Sequence, residues 1–226
     1  MIGNQLHSRR RVLGRLDLPY ANIKTAYQFD GNANDYYGLK NGTPSNMAYG
    51  TGLGDNKAGI FNGTDSWVTL PTGLNPLTTS YSFSFLFKAN ITSYRQLIAL
   101  DQVGEGYVAI RLNRLAANEI NLNIKSTTGQ PWHDVACTVT NWNHVVVIIT
   151  NNVGYKMYLN ATNVVDATMG AKGTLGSNNN VMGASRSYTI PFDGMQAAYK
   201  FWDIALTPTQ ISTLATAELA GINILA

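Results

Sequence analysis

Charge is scarce in this sequence. Asp, Glu, Lys and Arg together make up 13% of its 226 residues, about half of the roughly 25% usual for a globular protein. The net charge of +3 gives no electrostatic basis for a nucleic-acid partner, which calls for a concentrated basic stripe or patch. Cysteine is nearly absent. Cys137 stands alone, so no intrachain disulfide forms, and the alternation of "VACTVT" places it in a strand as a buried, inert thiol. No window approaches the roughly eighteen consecutive apolar residues of a membrane-spanning helix. The opening "MIGNQLHSRRRVLGRLDLPYANIK" has arginines but no apolar run after them, so it does not read as a secretory signal. Glutamate is limited to Glu105, Glu119 and Glu218, and there are 3 histidines, which leaves few acids, bases or metal ligands for catalysis.

Asn, Thr, Ser, Gly and Tyr take the place of charge. A surface built on neutral hydrogen bonds suits an extracellular or particle-surface protein. Residues 1–24 read as a basic arm with Arg9, Arg10, Arg11 and Arg15 set among leucines, either a solvated tail or an anchoring segment that orders on a partner. On the anchoring reading, deleting residues 1–24 releases the protein from its partner and leaves the melting temperature nearly unchanged. From residue 25 short strands alternate with turns. "YSFSFLFKA" sends Tyr81, Phe83, Phe85 and Phe87 to one face, "YVAIRLN" does the same with Val108, Ile110 and Leu112, and "EINLNIKS" with Ile120, Leu122 and Ile124. Asn121 and Asn123 then point outward. "NHVVVIIT" is the greasiest run, and its β-branched residues mark a strand buried on both faces. Gly and Asn clusters punctuate these runs, and the Asn-Gly pairs at 41 and 62 read as turns rather than glycosylation sites. Strands with one apolar face demand two packed sheets, so the expected fold is an all-β, two-sheet antiparallel β-sandwich over residues 25–216. A short C-terminal helix starts at Thr207 as N-cap with Pro208 at the first helical position, and residues 217–226 read as an apolar tail for a partner subunit.

Four stretches carry a resemblance. "YQFDGNANDYYGLKNGT" looks like an opening strand and loop, "KAGIFNGTDSWVTLP" like the strand-turn-strand after it, and "NWNHVVVIIT" followed by "YKMYLN" like a Trp-x-His strand and its tyrosine partner. "FDGMQAAYKFWDIALTPTQISTL" looks like a closing strand and helix. In this order they resemble the laminin-G-like members of the concanavalin A-like jelly-roll superfamily. The resemblance implies a jelly roll with His144 as a packing histidine. It implies no function, since lectins, hydrolases, adhesion modules and virion proteins share the fold.

The resemblance also raises a metal question. Family members hold a structural calcium with the first loop and an aspartate three residues beyond the glycine of the closing-strand turn. Counting from Gly194 gives Ala197, which has no ligand atom, while calcium takes six to eight oxygens. Within the loop Asp30, Asn32 and Asn34 match the first ligands of an EF-hand, but Asp35 stands where that loop needs glycine and Asn41 where it needs glutamate. Two readings stay open: a weak structural calcium site on Asp30, Asn32 and Asp35, or an Asx-rich turn that hydrogen-bonds its own backbone. No other cofactor is expected.

Catalysis finds little support. Retaining glycosidases need two carboxylates about 5–5.5 Å apart, and no Glu-x-Asp-x-x-Glu run exists. Asp101 and Glu105 have the spacing but lie in a turn. A polysaccharide lyase would draw on His133, Tyr188 and Arg186 without any accompanying strand motif. The expectation is therefore a non-catalytic binding protein, with Tyr36, Tyr37, Tyr49, Tyr94, Trp132, His133, Arg186 and Tyr188 as candidate glycan-binding residues, since aromatic rings stack on sugars and polar groups meet hydroxyls. A lectin-like chain without a signal fits a virion, a phage capsid decoration, fibre or host-binding part that reaches the outside by lysis. Its partners would be other virion proteins, further copies of itself or a cell-surface glycan. A bacterial secreted or surface glycan-binding module is the alternative, and a polysaccharide lyase the third.

Overall fold

The computed structural model of the chain describes residues 16–74, 80–100, 107–171 and 180–225. Arg9, Arg10, Arg11 and Arg15 lie outside the described residues, as do Asp101 and Glu105. The strands in chain order are β1 (Ile23–Tyr27), β2 (Thr43–Ser45), β3 (Ala48–Thr51), β4 (Lys57–Asn62) and β5 (Trp67–Leu70). Then come β6 (Tyr81–Ala89), β7 (Arg95–Leu100), β8 (Val108–Leu112), β9 (Glu119–Ile124) and β10 (Trp132–Ala136). The last five are β11 (Asn143–Thr150), β12 (Gly154–Leu159), β13 (Thr162–Thr168), β14 (Asn180–Met182) and β15 (Asp193–Trp202), followed by helix α1 (Pro208–Leu219).

These strands form two antiparallel sheets. One has eight strands in the order β13-β12-β11-β6-β15-β4-β3, with β1 added beside β15; the other has seven in the order β10-β9-β8-β7-β14-β5-β2. The alternation read from the sequence sets the interior. Phe83, Phe85 and Phe87 of β6 meet Ile110 and Leu112 of β8, Ile120 and Leu122 of β9, and Val145 and Val147 of β11 in one core. Phe85 stacks on Tyr199 of β15 at 4.7 Å between ring centres, a contact that adds to plain area burial. Cys137 is buried at the edge of this core, and burial pushes its thiol up to about 12.

The outer face of the eight-stranded sheet is covered. Val146 and Ile148 of β11 point away from the core and meet Trp202, Leu206, Ile211 and Leu214 in a second apolar cluster, which is why "NHVVVIIT" carries no polar face. Helix α1 begins with a capping box: the Thr207 hydroxyl accepts from the Gln210 amide, and the Gln210 side chain accepts from the Thr207 amide. β15 bulges between Ala197 and Lys200, with Ala198 in the left-handed region at φ 55°. Ala197 and Ala198 therefore both face α1, packing with Leu86 and Ala58, while Gln196 turns inward, donating to the Leu97 carbonyl and accepting from Tyr199 Oη.

Packed structure begins before residue 24: Leu18 is buried in the second cluster with Leu16 and Tyr20 packed against it, so a cut at residue 24 removes buried side chains together with the arm. The C-terminal boundary at 216/217 divides α1. The chain beyond it is tied down: Gly221 lies so close to Gly54 that a Cβ on either would sit 2.5–2.6 Å from the other's Cα, and the Gly221 carbonyl accepts from the Asp55 amide at 2.7 Å.

Between α1 and the sheet three ionisable groups are buried, Glu218 of α1, Lys200 and His144. Lys200 Nζ donates to Glu218 Oε1 and to the Ala198 carbonyl at 3.1 Å. His144 Nε2 stands 3.1 Å from Glu218 Oε2, off the direction of a well-formed hydrogen bond. His144 is thus a packing histidine with a charged neighbour.

Candidate glycan-binding face

The seven-stranded sheet keeps its outer face free of any helix among the described residues. The strand registers align Gln96 with Arg111, Arg111 with Asn121, and Asn121 with Asp134, while Asn123 lies opposite Trp132. Side chains two apart on a strand share a face, so these residues form one polar surface. It is built rather than merely wet. Asn121 Nδ2 donates to Asp134 Oδ1 and Asn123 Nδ2 to the Pro131 carbonyl. Asn123 Oδ1 accepts from Tyr107 Oη and from Gln130 Nε2. Gln96 Oε1 accepts from Arg111 Nε at 3.2 Å.

Charge is concentrated here. Arg114 grips Asp134 with two hydrogen bonds, Nε to Oδ1 at 3.2 Å and a terminal nitrogen to Oδ2 at 2.8 Å, and this partner holds the Asp134 carboxyl below its usual range. The guanidinium carbons of Arg111 and Arg114 each lie 4.6 Å from the centre of the Trp132 ring. Beside Arg111 a groove of about 300 Å³ opens between β7, β8 and the loop after β14, lined by Gln96, Tyr107, Arg111, Arg186 and the hydroxyls of Ser185, Ser187 and Thr189. Burial pushes the Tyr107 phenol up, opposed by the charges of Arg111 and Arg186 nearby.

The residues expected from the sequence divide into three groups. Trp132 and Arg186 belong to this face. Tyr94 precedes β7, close enough to act electrostatically on Tyr107 and Arg114. Tyr188 stacks on Trp67 at 4.5 Å with its hydroxyl 3.5 Å from Thr69 Oγ1, toward the β5 side of the same sheet. His133 is a correction: pairing with Leu122, it faces inward, and its Nε2 lies 2.7 Å from Tyr155 Oη. It therefore lies on the opposite face of its sheet from Trp132, whose neighbour Asn123 is on the outer side. Tyr36, Tyr37 and Tyr49 do not line the groove. Tyr36 and Tyr37 form an edge-to-face pair in the β1–β2 loop, and Tyr49 packs on Phe29 from β3 of the other sheet. Gln96, Tyr107, Arg111, Asn121, Asn123 and Gln130 were not expected as site residues; the only signal was the outward amide pair two residues apart in β9.

The first loop is organised around Asp35. Its Oδ1 accepts from the backbone amides of Ala26 at 2.8 Å and Tyr37 at 3.4 Å, and its Oδ2 from those of Leu39 and Lys40 at 3.2 and 3.1 Å. Asn32 Oδ1 accepts from the Asn34 amide, and Asn32 Nδ2 donates to the Asp30 carbonyl. A carboxylate enclosed by N–H donors faces the opposite polarity from one that holds a cation. Among the described residues no group of three or more His, Cys, Asp or Glu side chains is placed to hold a metal ion, and no helix among them is long and apolar enough to cross a membrane.

With two sheets and this topology in place, comparison with known proteins settles the lineage. A laminin G family model of the concanavalin A-like lectin/glucanases superfamily matches residues 62–212. The chain belongs to that superfamily. No curated protein sequence matches it. Among solved structures, domain 4 of AbnA, an extracellular arabinanase from Geobacillus stearothermophilus, solved with arabinotriose, superposes with a TM-score of 0.70 at 21% identity over 86% of this chain and 98% of that one. The binding domain of botulinum neurotoxin serotype G gives 0.66 at 11% identity over 87% of this chain and 51% of that chain. The binding domain of Paraclostridial Mosquitocidal Protein 1 gives 0.65 at 10%, over 88% and 52%. The chain spans about half the length of these toxin domains. At such identities the likeness is one of fold, and within this superfamily function rests on the site.

Proposed function

We propose that this lectin-like jelly roll is a non-catalytic binding module that holds a glycan on the outer face of its seven-stranded sheet. The observation that carries the reading is the contrast between its two outer faces. One is covered by α1, while the other carries an open groove lined by a tyrosine, two arginines and the hydroxyls of Ser185, Ser187 and Thr189, with the exposed Trp132 stacked on Arg111 beside it. Sugar recognition needs such directional neutral donors and acceptors with a ring at the edge. The arabinotriose bound to the similar arabinanase domain and the binding role of the toxin domains support the reading. Among the described residues, Glu119 spends its carboxylate on the Leu115 and Ala116 amides, Asp134 on Arg114, and Glu218 is buried between α1 and the sheet, which supports binding without hydrolysis. The first loop is proposed to work as a turn that needs no calcium.

A glycan array that includes arabino-oligosaccharides tests this reading. We expect hits that disappear in Trp132→Ala with unchanged thermal stability. Depolymerisation of any bound polysaccharide overturns the non-catalytic part, and an array without hits overturns the glycan. The virion setting expected from composition and from the arginine-bearing arm is a separate proposal. It predicts that the gene lies among capsid and portal genes and that antibody to the protein labels particles; a gene among secreted polysaccharide-binding proteins places it instead on a bacterial surface.

A further inference from the structure

Trp132 is the exposed ring on which a sugar would stack, yet part of it is already taken. The guanidinium carbons of Arg111 and Arg114 both lie over the indole, each 4.6 Å from its centre. A guanidinium is planar, and it covers the same π-surface that the C–H face of a sugar ring needs. The two arginines are not held alike. Arg114 is fixed by its two hydrogen bonds to Asp134, a carboxylate that also accepts from Asn121 Nδ2. Among the described residues Arg111 makes one hydrogen bond, from Nε to the neutral Gln96 Oε1 at 3.2 Å. Like charges gathered on one ring repel, and Arg111 has the weaker tether, so it is the one a ligand displaces.

Arg111 also stands at a boundary. Among the described residues it alone both lines the groove and lies over the indole. A ligand that extends from the groove onto Trp132 therefore meets its guanidinium first. We infer that Arg111 is a gate within the glycan site: an uncharged sugar ring takes its place on Trp132, and the guanidinium turns out to solvent. Gln96 lines the same groove, so a sugar hydroxyl donates to the Oε1 that Arg111 Nε releases, and the acceptor is not left bare. At rest the site is partly self-blocked, and the groove and Trp132 become continuous only when Arg111 moves. Breaking a solvent-exposed cation–π contact lowers affinity by roughly two- to fivefold. The contact thus selects for ligands that gain more from the indole than the guanidinium does. This inference rests on the glycan-binding reading above and adds to it the regulation of that site.

The test is calorimetric titration of the whole chain with arabinotriose and with any neutral oligosaccharide that the array returns. Arg111→Gln removes the guanidinium and should raise affinity by roughly two- to fivefold, while in a Trp132→Ala background the same change should give no gain. Lys24→Gln, on β1 and paired with Asp203, should leave affinity as it is. Binding by Arg111→Gln where the parent shows none supports the gate. Equal or weaker binding by Arg111→Gln overturns it, the weaker case by making Arg111 a ligand contact, and so does a gain that survives Trp132→Ala. If Arg111→Gln misfolds, the parent answers by NMR. Its Arg111 Hε resonance, shifted by the Trp132 ring current, should move toward its position in Trp132→Ala as sugar is added. A resonance that stays in place at saturation overturns the gate and leaves the glycan reading standing. No binding by parent or variant, together with an empty array, removes both.

Discussion

Glu218 and Lys200 are both fully enclosed between α1 and the sheet, with side-chain exposures of 0% and 1%. Neither charge has water to fall back on, so the energetic consequence of removing one differs sharply from that of removing both. Glu218→Ala strands a buried ammonium beside the Ala198 carbonyl and should cost about 3–5 kcal/mol. For a chain of this size each kcal/mol shifts the melting temperature by roughly 2–4 °C, giving a fall of roughly 6–20 °C. The double replacement Lys200→Met with Glu218→Leu removes both charges and fills the space with apolar atoms, a change worth about 1–4 kcal/mol in favour of the fold in comparable cases. His144 Nε2 then loses its charged neighbour, a loss of about 1–3 kcal/mol, so the double variant should lie within about 2 kcal/mol of the parent. Calorimetry and denaturant titration measure both. The pH profile gives an independent reading. Burial works against ionising Glu218, yet Lys200 and His144 together hold its carboxyl below the ordinary range. A depressed folded value means the stabilisation is present above the unfolded carboxyl value of about 4.3 and is lost as pH falls through the folded one. The parent should therefore lose stability in that acid window more steeply than the double variant. A single variant that melts within about 1 kcal/mol of the parent, or a double variant as damaged as the single, would refute the sealed ion pair.

Three further outcomes follow from the same geometry. Asp35→Ala leaves the amides of Ala26, Tyr37, Leu39 and Lys40 without their acceptor and should destabilise by about 2–4 kcal/mol; addition of calcium to the parent should leave its melting curve in place, and a clear upward shift would revive the metal reading of the loop. The Cys137 thiol, buried and raised to about 12, should resist a thiol reagent until denaturant is added, and rapid stoichiometric labelling of the native chain would contradict its burial. Deletion of residues 1–24 removes Leu18 and Ile23 from the cluster around Trp202 and should lower the melting temperature by at least roughly 6 °C, from about 1.5–3 kcal/mol for each large apolar side chain lost; an unchanged melting curve would contradict that packing.

Much of the framework was legible because strand periodicity is local. Alternation in β6, β8 and β9 identifies the core face residue by residue, the unbroken apolar run of β11 implies cover on both sides, and Thr207 with Pro208 and Gln210 announces a helix start. Even the fate of His133 was written in that period: next to Trp132 on a strand, it had to face the other way. Three other matters were decided by tertiary structure alone. The bulge at Ala198, which puts Ala197 and Ala198 together under α1, has no local signature in "MQAAYK". Lys200, Glu218 and His144 meet because α1 folds back across β15 and β11, and only that closure turns an ordinary helical glutamate into a buried charge. The groove depends on β14 inserting between β5 and β7, which carries Arg186 to the side of Arg111 across 75 residues of sequence. Periodicity tells each strand which way its side chains point; which outward face stays open to water is settled by the elements that pack on it, and those contacts are long-range.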